Sequence, residues 1–141
     1  VTSEAVKRLK ESIAVTDDYE KKIKDLRRTD LKDVETKTKA MKDTLVKVMD
    51  YIFGKEDKRQ GLTRSVDSRL SYINRASGFI ESATGPINET DRRVFSQAES
   101  KINEIVIRVN AFYDTQWKAY RTEMEKINVS PFKDYQPLKR N

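Results

Sequence analysis

Two acidic pairs, Asp17-Asp18 and Glu56-Asp57, are the first side chains whose type and spacing suit chemistry, because paired carboxylates can share acid and base roles. That role needs a shielded pocket holding the two pKa values apart. Adjacent acids on a solvated helix lack one and read as solvating charge. The usual general base and the usual soft nucleophile are both missing, since the 141 residues contain no His and no Cys. A ferritin-like di-metal centre needs Glu-x-x-His pairs facing into a bundle, so that option falls. A calcium loop needs spaced acids around a Gly, whereas GKEDKRQG offers two adjacent acids among cations. No glycine-rich phosphate cradle is present, and no Ser or Thr has a partner base. The expectation is a chain with no catalytic residue, no metal and no cofactor.

Two clusters remain as candidate sites. Lys55, Lys58, Arg59, Arg64 and Arg69 surround a central polar loop, and Lys58, Arg59, Arg64 and Arg69 form a candidate anion-contact loop for an acidic partner or a phosphate. The bland alternative is an ordinary basic loop. Tyr113, Trp117, Tyr120 and Met124 recur at helical spacing near the C-terminus. If exposed they form a docking face, because Trp and Tyr anchor interfaces; if buried they are core.

The elements that must position these groups are helices. Four Gly and three Pro interrupt a chain rich in Lys, Glu, Asp, Arg, Ile, Val and Leu, which favours long helices over the frequent turns of a β fold. A first helix over 3–28 carries Val6, Leu9, Ile13, Tyr19, Ile23 and Leu26 on one face. A second over 30–53 has a heptad seam of Leu31, Val34, Thr38, Met41, Leu45, Val48 and Ile52, with Gly54 suited to the position past its end. One uninterrupted helix over 3–53 would run about 75 Å at about 1.5 Å per residue, too long for the rest to cover, so a tight hairpin is expected.

A third helix over 65–84 is capped by Ser65 and buries Val66, Leu70, Ile73 and Ile80. Asn88 or Thr90 caps the last, over 91–129, whose main seam is Phe95, Ala98, Ile102, Ile105, Val109, Phe112, Gln116 and Ala119. A second stripe of Val94, Val106, Tyr113, Trp117, Tyr120, Met124 and Ile127 widens that face. Pro131 stops the helix and residues 130–141 form an extended tail. The expected fold is a single all-α domain, an up-down four-helix bundle with a long last helix.

The net charge is +6, yet acids and bases are interleaved so that residues 1–60 and 61–141 each carry about +3. No basic stripe for nucleic acid emerges, and no apolar run approaches the roughly 20 residues that cross a bilayer. The chain opens at Val1 and is helical almost at once, which reads as a piece of a longer protein.

The block DKRQGLTRSVDSRLSYI, then TGPINETDRRVFSQAESKINE, then QWKAYRTEMEKINVSPFKDYQPL resembles the C-terminal helical region of bacterial, Bacteroidetes-type, multi-repeat β-propeller proteins of the sortilin-like or BNR-repeat glycosyl hydrolase-like kind. The Arg59-Gln60-Gly61 turn, the Arg69-Leu70 pair, the start of the last helix over Thr90 to Ala98 and the Ser130-Pro131-Phe132 exit fall in the same order. The resemblance implies a non-catalytic accessory bundle that packs on a β-propeller domain of the same polypeptide or of another protein, exported to the periplasm or beyond the cell. It carries over no catalytic residue. The alternative is a module for an anionic polymer or membrane surface, using the basic loop.

Overall fold

The computed structural model describes residues 1–55 and 68–127. All regular structure among them is helical, so the all-α bundle with a long last helix is what this sequence forms. Helix α1 spans Thr2–Leu26. It ends at Arg27, whose left-handed φ of 47° lets its N–H reach the Lys24 carbonyl, and a 3₁₀ turn over Thr29–Leu31 leads into α2, Lys32–Phe53. The first two helices are therefore a hairpin and not one rod. Gly54 closes α2 at a φ of 81°, a backbone region that glycine adopts freely, and its N–H bonds to the Asp50 carbonyl.

Helix α3 covers Arg69–Ser82. Its cap is Ser68, which accepts from the N–H of Ser71; Ser65 and Val66 lie outside the described residues. The last helix begins at Glu89, two residues before the expected start, because Asn88 and Asp91 close a reciprocal capping box. It runs as α4, Glu89–Phe112, then a π-helical turn over Tyr113–Trp117, then α5, Lys118–Lys126. The tail over 130–141 lies outside the described residues.

The seam read in α2 is the seam that packs: Leu31, Val34, Thr38, Leu45, Val48 and Ile52 are buried and Met41 is half-buried. In α1, Leu9 and Ile23 are buried, but Ala5, Ser12 and Thr16 share the innermost line and push Val6, Ile13 and Tyr19 to its edges. Two apolar clusters result. The larger joins Leu9, Leu45, Val48, Ile52, Ile105, Val109 and Phe112, and the smaller joins Ile23, Leu31, Val34, Tyr120 and Met124. A buried aliphatic side chain contributes about 1.5–3 kcal/mol, so the larger cluster dominates the fold's stability.

The helices overlap in two stages. Ser12 stands opposite Tyr113 and Thr38 opposite Tyr120, so α4 and α5 run parallel to α1 and antiparallel to α2. Counting along the helices from these pairs puts Thr2 level with about Asn103 and Phe53 level with about Ile105. Beyond that level α4 continues toward Glu89 with α3 the one described helix beside it, Arg69 lying against Glu104 and Tyr72 beside Lys101. A three-helix stage of α1, α2 and α4–α5 is thus prolonged by a two-helix α3–α4 hairpin about 20 Å long.

Candidate functional site

The aromatic segment expected to dock a partner is where the long helix changes its winding. Down to Phe112, the buried line of α4 is Ala98, Ile105, Val109 and Phe112. An unbroken α-helix would continue that line through Gln116, Ala119 and Glu123. All three are exposed, and the buried residues are instead Tyr120 and Met124, with Trp117 half-buried against both clusters. The π-turn absorbs one residue, which would otherwise rotate the face by about 100°, and so returns the second stripe to the core. Gln116 and Ala119 thus drop out of the expected seam.

Around this turn the polar side chains knit the three helices together. The Tyr113 hydroxyl lies 2.9 Å from Ser12 Oγ on α1, and the Tyr120 hydroxyl lies 3.0 Å from Thr38 Oγ1 on α2. Thr16, fully buried, donates to the Ile13 carbonyl at 2.7 Å. Burial pushes both phenols above their ordinary pKa, with the hydrogen bonds opposing that rise. They stay protonated at neutral pH and serve as hydrogen-bond partners, not as bases. Rings of Phe112, Tyr113, Trp117 and Tyr120 meet edge-on or tilted, with centroids 5.2 to 6.3 Å apart.

Of the candidate docking face Tyr113, Trp117, Tyr120 and Met124, the last two take the buried alternative and belong to the core. Tyr120 is 6% and Met124 3% exposed, because the register shift points them at Ile23, Leu31 and Val34. Tyr113 and Trp117 are half-buried. What remains open to solvent is a cleft of about 290 Å³ between α1 and α5, where Val15 and Tyr19 face Trp117, Arg121 and Glu125. Tyr19 read as core from its spacing and Val15 carried no signal. Their role at the cleft follows from Ser12 and Thr16 taking the inner line of α1.

Of the basic cluster, Lys58, Arg59 and Arg64 lie outside the described residues, and so do Glu56 and Asp57. Arg69 is not free for an external anion. Its Nε donates to Glu104 at 2.8 Å, its Nη1 donates to the Tyr51 carbonyl at 3.1 Å, and its guanidinium lies 3.4 Å from the Tyr51 ring centroid. Lys101 donates to the same Glu104 at 2.8 Å. Those two cations, Lys101 foremost, hold the Glu104 carboxyl below the usual range. Arg69 thus clamps the end of α2 to the start of α3 and the middle of α4, the junction between the two stages. Glu104 gave no hint of this role in the sequence, for Arg69 is far away from it along the chain.

Asp17 is likewise engaged, pairing with Lys42 across the α1–α2 hairpin, while Asp18 is exposed. Among the described residues no cluster of three acids could hold a metal ion, no helix is long and apolar enough to cross a membrane, and no buried side-chain nitrogen or oxygen lacks a partner. No family model, curated protein or solved structure matches this chain.

Proposed function

We propose that this chain is a non-catalytic structural and interaction module, accessory to a larger protein. The observation that carries the reading is the use to which its polar side chains are put. Ser12, Thr38, Tyr113 and Tyr120 fix helix registers, and Arg69, Lys101 and Glu104 clamp the junction of the two stages. Groups committed to one another in this way hold a shape and are not poised to react. On the family resemblance, the partner is a β-propeller of an exported protein, and the work of the module is to pack on it.

The test uses the single Trp. Trp117 is half-buried beside Tyr19 in the α1–α5 cleft, so docking there changes its emission. Titrating the chain with a propeller domain of the resembled family should shift Trp117 fluorescence and give a complex in size-exclusion chromatography. Absence of both at high concentration would refute the partner. Turnover of a glycoside panel by the isolated chain would refute the non-catalytic reading.

A further inference from the structure

The α3–α4 hairpin has an apolar face that no other described helix covers. Ile73 on α3 packs against the main cluster at the end of α2, but Ile80, seven residues further on the same face, is 64% exposed. On α4, Ile102 and Phe95 are also seven apart and half-buried, and they prolong the side of the helix that meets α1 lower down. This face therefore continues the core of the three-helix stage into the space past Thr2 and Phe53, which no other described helix occupies.

We propose that a second copy of this chain fills that space, its own α3–α4 hairpin packing antiparallel on the first across a two-fold axis. The charges on the rim select this partner. Arg92 and Glu99 flank Phe95 on the outer edge of the face; both are exposed, and neither has an ion-pair partner among the described residues. Antiparallel pairing of two α4 segments about the gap between Phe95 and Ser96 sets Arg92 of each copy against Glu99 of the other.

The lengths give the same axis independently. The uncovered part of α4 runs from Glu89 to Ile102, and its midpoint also falls between Phe95 and Ser96. With that centre, the tip of one hairpin ends where the α1 and α2 of the other begin. The pair forms a rod that is three helices thick at each end and four in the middle. A two-fold contact of this kind closes on itself and stops at the dimer.

Sedimentation equilibrium of the full chain over a wide concentration range tests the proposal. Dimer is expected for the parent chain. Ile80→Asp, Arg92→Glu and Glu99→Arg should each weaken it by about tenfold or more without loss of helicity, since each side chain is exposed. The double variant Arg92→Glu with Glu99→Arg restores opposite charges at both rim contacts and should recover the parent dissociation constant. A parent chain that stays monomeric throughout overturns the proposal. So does a dimer indifferent to Ile80→Asp, or one that the double charge swap fails to restore.

Discussion

Deleting Thr115 puts the π-turn to a quantitative test. Thr115 is exposed, and its hydroxyl donates to the Ala111 carbonyl at 2.6 Å. If the turn exists to absorb one surplus residue, the shortened chain becomes an ordinary α-helix in which Phe112, Trp117, Tyr120 and Met124 keep their faces. Stability should then change by no more than about 1 kcal/mol, the worth of one exposed hydrogen bond. If the turn absorbs nothing, the deletion rotates α5 by about 100° and expels Tyr120 and Met124. Losing a buried Met costs about 2–5 kcal/mol, a buried ring about 3–5 kcal/mol and the Tyr120–Thr38 bond about 1 kcal/mol, so at least about 6 kcal/mol is at stake. Urea unfolding followed by far-ultraviolet circular dichroism separates the two outcomes. Deletion of Ala40, exposed in the middle of α2 where no π-turn can compensate, sets the scale of a true register error. Equal loss for the two deletions would refute the reasoning.

Thr38→Val keeps the shape beside Tyr120 but leaves its buried hydroxyl unpaired, and should cost about 1–3 kcal/mol in urea unfolding; Tyr120→Phe added to it should recover part of that loss. Arg69→Lys keeps the charge yet cannot stack on Tyr51 while bonding both Glu104 and the Tyr51 carbonyl. It should lower the melting temperature nearly as far as Arg69→Ala, and a fully stable Lys variant would contradict the clamp. Glu104 has a folded pKa below its unfolded one, so its contribution is present above the ordinary carboxylate range and is lost as pH falls through the lowered value. Stability measured from neutral to acid pH should fall less steeply in Glu104→Gln, and an unchanged slope would count against the ion pairs. Arg27 holds a left-handed backbone that costs a side chain about 1–2 kcal/mol, so Arg27→Gly should raise the unfolding midpoint.

Helix α2 was legible almost residue by residue because its apolar positions alternate steps of three and four with one face to bury. The long helix was legible only to Phe112. Beyond it, strict α periodicity keeps Gln116 and Ala119 on the inner line, whereas the packing rewards the larger rings one residue later. The step of five from Phe112 to Trp117 was the available signal, and reading Trp117, Tyr120 and Met124 as a second stripe came from the same residues without the change of winding. Ser12 and Thr16 were passed over because hydropathy counts a hydroxyl as outward, while each here finds a partner inside. Arg69 was grouped with its basic neighbours by proximity in sequence, but its partners Tyr51 and Glu104 are brought to it only by the fold. Its chemical type was informative; its destination was not.

The clamp around Arg69 also divides the molecule in time. The hairpin past it has few buried side chains of its own, chiefly Ala76 and Ala98, whereas the three-helix stage holds both apolar clusters. Thermal fluctuations should therefore release the amides of α3 and of α4 from Glu89 to about Ile102 together and early, with those of α2 exchanging last. The long helix belongs to both populations. Its amides should pass from fast to slow exchange near Glu104, midway along an element that looks continuous, so that one helix keeps two clocks.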